Sequence, residues 1–126
     1  MLVEANRNLK IAVIDDQTEL SEVYSLGIEK LGFQPPSIFN DGTSIVKALI
    51  KDRQSFDVII MDYRIPEISG IEAAKIIQRY KKDAKIIIAT SNDFVKQEAI
   101  VAGLTFLLKP FTAEQLVECL ESPNAG

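Results

Sequence analysis

Five short apolar runs, each followed by an amphipathic stretch, limit what this chain can fold into more than any other feature. "KIAVID" (10–15), "PSIFN" (36–40), "FDVIIMD" (56–62), "KIIIAT" (85–90) and "TFLLK" (105–109) have the length and apolar enrichment of strands. The stretches between them read as helices. In the first, Leu20, Val23, Tyr24, Ile28 and Leu31 recur at three-and-four spacing, and Gly32 follows as a stop. The third opens on Ser69 with Glu72 three residues later, and the fifth on Thr112 with Gln115, both spaced as capping boxes. The second helix is expected over about 42–51 and the fourth over about 93–102.

Strands that alternate with helices form a parallel sheet covered on both faces, with right-handed crossovers. Near-continuous apolar strands suit that double burial. The second strand is short and preceded by Pro35 and Pro36, which cannot donate ladder hydrogen bonds and therefore belong at an edge. The expected fold is α/β: a five-stranded parallel sheet in the flavodoxin-like order 2-1-3-4-5, with helices on both faces. One unit spanning 1–126, with a core over about 9–120, suits a chain of 126 residues.

In such sheets the functional residues lie beyond the carboxyl ends of the strands. The first strand ends at Asp15-Asp16, the third at Asp62, the fourth at Thr90 and the fifth at Lys109-Pro110. Buried strands do not end on an acid unless the charge has a partner or a task. Two unit charges 4 Å apart repel by about 1 kcal/mol in water and about 4 kcal/mol at an effective dielectric near 20. Three gathered carboxylates therefore call for cations. Lys109 supplies one charge, and a hard divalent ion such as Mg²⁺, which takes one or two carboxylates plus waters and phosphate oxygens, suits the rest.

Each residue also has a plainer reading. Asp16 can be a helix N-cap with Glu19 completing a capping box, Thr90 an ordinary β-branched strand residue, and Lys109 a solvated strand terminus. Their coincidence at neighbouring strand ends favours the functional reading. "GIEKLG" has the glycine spacing of a phosphate-binding loop, but Phe33-Gln34 stand where Lys-Ser/Thr is needed, so it is set aside. The mixed run "QRYKKDAK" reads as a solvated helix face.

Composition excludes several classes. With no histidine in the chain, histidine triads and histidine-ligated zinc are impossible, and the single cysteine, Cys119, cannot form an intramolecular disulfide and reads as core. A net charge of −4 without a basic patch argues against direct nucleic-acid or anionic-membrane binding. "MLVEANRNLK" lacks the apolar centre of a signal peptide, and a cytoplasmic protein is expected.

Asp15-Asp16, "MDYRIPEISG" with Asp62, Pro66 and Gly70, "ATS" with Thr90, and "FLLKPF" with Phe106, Lys109 and Pro110 occur in order at the expected strand ends. In these pieces the chain resembles a response-regulator receiver domain of two-component signalling, of the stand-alone chemotaxis type, over about 9–120. The resemblance implies that Asp62 accepts a phosphoryl group from a phosphohistidine on a sensor histidine kinase or phosphotransfer protein. It implies that Asp16, Asp62 and the Arg64 backbone carbonyl bind Mg²⁺ directly, with Asp15 acting largely through water. It also implies that Thr90 and Phe106 couple phosphorylation to a surface formed by the fourth helix, fifth strand and last helix, where a downstream protein docks.

The chemistry is consistent with those roles. Phosphoryl transfer spreads charge over three equatorial oxygens, so positioned charges and donors do most of the catalysis. Asp62 would be the in-line nucleophile; Mg²⁺, Lys109 and Thr90 can each address one oxygen. Such a protein catalyses its own phosphorylation and dephosphorylation without turning over an external substrate. Arg64 and Asn92, two residues beyond Asp62 and Thr90, would flank the phosphoryl group and tune its lifetime. Phe106 stands where many relatives carry tyrosine, so its rotation can offer no surface hydroxyl. After Leu120 only "ESPNAG" remains, so the output would come through docking or through a longer regulator of which this is a part. The alternative is a receiver-like interaction module that works without aspartyl chemistry; a flavodoxin-like cofactor binder is disfavoured by carboxylates where an anionic phosphate would lie.

Overall fold

The computed structural model describes residues 8–121. Its elements alternate as expected: β1 (Ile11–Ile14), α1 (Thr18–Lys30), β2 (Ser37–Phe39), α2 (Gly42–Lys51), β3 (Val58–Asp62), α3 (Gly70–Tyr80), β4 (Lys85–Thr90), α4 (Val95–Val101), β5 (Thr105–Leu108) and α5 (Ala113–Glu121). The sheet order is β2-β1-β3-β4-β5, and every pairing is parallel. β2 lies at the edge that its prolines require, and its three residues leave Ile38 largely exposed.

Each central strand divides its side chains between two cores. Ala12, Ile14, Ile59, Met61, Ile86 and Ile88 face α2, α3 and α4, where Ile45, Leu49, Ile71, Ile77, Val95 and Ala99 pack against them. Ile11, Val13, Val58, Ile60, Ile87, Ala89 and Leu107 face α1 and α5, meeting Ile28, Leu116 and Leu120. Burial on both faces explains why these strands carry no polar alternation.

The helix ends follow from local chemistry. Ser69 Oγ accepts the Glu72 N–H at 3.2 Å, and the Thr112 and Gln115 pair is reciprocal: Gln115 N donates to Thr112 Oγ1 and Thr112 N to Gln115 Oε1. After α1, Gly32 takes φ 93° while its N–H bonds the Glu29 carbonyl and Phe33 N bonds the Ile28 carbonyl, a Schellman stop. Gly103 ends α4 the same way, with Leu104 N on the Ala99 carbonyl.

Three expectations change. Val23 is 62% exposed, so the inner face of α1 runs through the buried Ser21 and Ile28 and the half-buried Tyr24 and Leu31 instead. Asp16 is not the cap of α1; Gln17 holds that position, and the neighbouring Asp15 Oδ1 accepts the Gln17 N–H at 2.9 Å. Within the run after α3, Lys81 and Lys85 are buried, while Lys82 and Asp83 are exposed. Strand ends are trimmed by one or two residues. β3 begins at Val58 because Asp57 Oδ2 takes the Lys10 N–H, which replaces a ladder bond.

One strained residue lies in the loop between β3 and α3. Ile68 N bonds the Pro66 carbonyl at 3.0 Å, closing a tight turn over Glu67, the one non-glycine residue with positive φ (79°) among those described. A left-handed conformation costs a side-chain-bearing residue about 1–2 kcal/mol, whereas glycine loses about 0.5–1 kcal/mol more chain entropy on folding. Strain is the larger effect. Glu67→Gly is expected to stabilise the protein by about 0.5 kcal/mol, read as a higher melting temperature; a lower one would show that this turn is unstrained.

Candidate functional site

The carboxyl ends of β1, β3, β4 and β5 form one cleft of about 430 Å³, lined by Asp16, Gln17, Asp62, Arg64, Thr90, Ser91, Asn92 and Lys109. β1 delivers Asp15 into full burial, 1% exposed, and leaves Asp16 at the exposed rim. β3 delivers Asp62, whose side chain is 17% exposed. Oxygens from these three carboxylates lie within 4.8 Å of one another.

Lys109, carried by β5 and the bond from its own N–H to the Thr90 carbonyl at 2.9 Å, reaches back into the group. Its Nζ is 3.4 Å from Asp15 Oδ2 and 3.5 Å from Asp62 Oδ2. Burial pushes the ammonium's pKa down, but Asp62, Tyr24 and Asp15 together outweigh it and hold Lys109 above the ordinary lysine value. Burial raises the Asp62 pKa, with Asp15 acting in the same direction, against the opposing pull of Lys109 and of the Arg64 N–H that Oδ1 accepts at 3.3 Å. Burial, more than the neighbouring acid, is what makes this carboxyl resist ionisation.

The other expected residues fall around this group. Thr90 is buried at the end of β4, and its Oγ1 accepts the Asn92 N–H at 3.2 Å. Asn92 Oδ1 in turn accepts the Phe94 N–H, which ties the cleft to the start of α4. Phe106, in β5, is paired with Ile88, half-buried on the α4 side, and is not one of the residues lining the cleft. Gly70 explains itself only in three dimensions. A Cβ there would stand 2.4 Å from the Asp62 carbonyl oxygen, and Gly70 N bonds the Tyr63 carbonyl at 2.6 Å.

Sequence reasoning missed Gln17 and Ser91 as lining residues, and Tyr24 as a neighbour of Lys109. Neither polar residue carries a local signal. Tyr24 was placed in the helix stripe, and only the packing of α1 beside the end of β5 brings it to the site.

The model of the response regulator receiver domain matches residues 11–121. The chain belongs to this family. Receiver domains are the phosphorylation-dependent switches of two-component systems; they interact with sensor histidine kinases and downstream targets and are not turnover enzymes on external substrates. Chemotaxis protein CheY-3 of Vibrio cholerae is 30% identical over 121 residues, covering 92% of each chain. The response regulator protein TrrA of Thermotoga maritima, solved in complex with Mg²⁺ and BeF, superposes with a TM-score of 0.78 at 28% identity, covering 87% of this chain and 94% of its own. The receiver domain of sensor histidine kinase PA1611 from Pseudomonas aeruginosa PAO1, solved with a magnesium ion in the active-site cleft, gives a TM-score of 0.77 at 26% identity over 90% of this chain and 95% of its own.

The donor set here fits the same ion. Three hard carboxylate donors converge in a partly open cleft, and Mg²⁺ favours oxygen ligands while keeping several waters. Among the described residues, no helix is long and apolar enough to cross a membrane.

Proposed function

We propose that this receiver takes a phosphoryl group onto Asp62 from the phosphohistidine of a sensor kinase or phosphotransfer protein, and signals through α4, β5 and α5. The observation that supports this most is the ammonium of Lys109 between Asp15 and Asp62, with Asp16 beside them and Thr90 across the cleft. An Asp62 carboxylate oxygen attacks phosphorus in line, the P–N bond of the donor breaks as the P–O bond forms, and the leaving imidazole is protonated. Asp16, Asp62 and the Arg64 carbonyl would hold Mg²⁺, with Asp15 acting through water; when bound, the ion supplies positive charge to the phosphoryl oxygens. Lys109 neutralises a second oxygen and the Thr90 hydroxyl donates to a third. Arg64 and Asn92, on the lining of the same cleft, set the approach of the hydrolytic water, so Arg64→Ala changes dephosphorylation more than phosphorylation.

The output surface is supported by exposed apolar groups. Phe94 is 95% exposed and Val101 78%, with Ile100 and Leu108 also at the surface. Phosphate can shift this region only by binding its active arrangement more tightly than the inactive one. Thr90 provides the means: the hydroxyl that holds Asn92 is the one that would donate to the phosphoryl group. Phosphorylation, or beryllofluoride with Mg²⁺, is expected to shift backbone amide resonances from Asp62 through Thr90 to 94–101 and Phe106. Thr90→Ala should still be modified but lose the distant shifts. Shifts confined to the loops around Asp62 would overturn the switch and favour a static interaction module acting in the cytoplasm.

A further inference from the structure

The acid cleft does not end at Lys109. Ser91 and Lys109 also line a second cleft of about 350 Å³, whose other walls are Tyr24, Pro110 and Phe111 and whose surface is mostly apolar. Lys109 Nζ lies 3.5 Å from Asp62 Oδ2 in the first cleft and 5.6 Å from the centroid of the Tyr24 ring in the second. The two clefts are therefore neighbours across one ammonium. The Tyr24 and Phe111 rings are stacked, with centroids 5.3 Å apart and planes 23° from parallel, and the bond from Lys109 N to the Thr90 carbonyl fixes the start of this loop against β4. Such walls offer little to a phosphate oxygen and suit a flat, uncharged ring.

One part of the donor has that character. When an Asp62 oxygen attacks phosphorus, the P–O bond forms, the P–N bond breaks, and the electron pair of the P–N bond stays on the ring nitrogen. The proton on the other ring nitrogen lets the group depart as neutral imidazole. We propose that the second cleft is the leaving-group subsite: Tyr24, Pro110 and Phe111 receive the imidazole of the phosphohistidine while its phosphoryl group lies in the acid cleft, with Ser91 and Lys109 at the junction. The inference rests on the receiver reading above and adds to it a place for the other half of the donor. A seated ring fixes the P–N bond relative to Asp62, and positioning of that kind is what phosphoryl transfer rewards.

The test compares N-phosphoimidazole with phosphoramidate, each with Mg²⁺, on wild type, Phe111→Ala and Phe111→Tyr, with intact mass as the readout. Both donors break a P–N bond, but only the first expels a ring. Phe111→Ala should lower the ratio of the two initial rates, phosphoimidazole over phosphoramidate, by about three- to tenfold, the size of one aromatic contact. Phe111→Tyr keeps a ring and should keep the ratio near that of wild type. The ratio cancels any change at Lys109 or the Mg²⁺ site that both donors feel. A second measurement needs no variant and decides the matter if Phe111→Ala fails to fold. Imidazole titrated into wild type with beryllofluoride and Mg²⁺ should shift the ring resonances of Tyr24 and Phe111. An unchanged ratio in folded Phe111→Ala, or rings unmoved by imidazole, overturns the proposal alone. Wild type that takes a phosphoryl group from neither donor overturns the receiver chemistry and the proposal with it.

Discussion

Asp62→Asn is expected to abolish Mg²⁺-dependent phosphoryl uptake from acetyl phosphate and, at the same time, to make the metal-free protein more stable than wild type. The first effect would be loss of the proposed nucleophile. The second follows from linkage. Burial, and then Asp15, raise the Asp62 pKa in the folded protein, so the folded state binds this proton more tightly than the unfolded chain does. The stability this gives is fully present below the ordinary carboxylate value, about pH 4, and is lost as pH rises through the raised value. Asparagine cannot ionise and keeps it. Lys109 outweighs the Asp15 repulsion but not the burial, which leaves a gain at neutral pH on the order of 1 kcal/mol. Other acids act the other way: Asp41, held below its usual range by the Ser44 N–H, favours folding above acid pH. The informative quantity is therefore the difference between mutant and wild type across pH in chelator, measured by thermal melts. Saturating Mg²⁺ should reverse their order, since it stabilises only a protein that binds it. Retained uptake by the mutant would remove Asp62 from the chemistry, and a destabilised apo mutant would contradict the carboxylate cluster.

Gly70→Ala should be the most damaging conservative change in the chain. Its new methyl would meet the Asp62 carbonyl at 2.4 Å and the Tyr63 Cα at 3.1 Å, both backbone atoms that have no flexible end to withdraw. Relief requires β3 and α3 to separate at Asp62, the proposed phosphoacceptor. A cost of about 3 kcal/mol is expected, at the upper end for overpacking, read as a lower denaturation midpoint. Because the strain falls on Asp62, Mg²⁺ should rescue the variant less than it stabilises wild type. A stable Gly70→Ala with normal Mg²⁺ response would show that the loop yields freely.

The parts of this protein that could be read in its sequence are those set by local patterning. β4 and α2 lie where the apolar runs and turn residues place them, the Thr112–Gln115 capping box forms with both of its bonds, and Ser69 caps α3 through the Glu72 N–H. The cluster of Asp15, Asp16, Asp62 and Lys109 was legible because parallel topology fixes where strands end, and the strand ends are charged. Lateral packing was not legible. Val23 fits the same helical stripe as Tyr24, and only the angle at which α1 lies on the sheet turns one outward and the other toward Lys109. The N-cap of α1 falls one residue later than the Asp16–Glu19 spacing suggests, on Gln17, whose own N–H is taken by Asp15 Oδ1. The unusual φ of Glu67 leaves no mark in a residue type that is at home in any loop.

The two hydrophobic clusters on either side of the sheet have no residue in common. Substitutions far apart and without shared partners tend to act independently. The side chains of α1 and α5 can therefore drift over generations without compensating change in α4, and the reverse holds equally. The rim where Asp62, Thr90 and Lys109 meet gathers the ends of strands that border both. The proposed output surface takes α4 from one side and α5 from the other, so a change of downstream partner would draw on both cores.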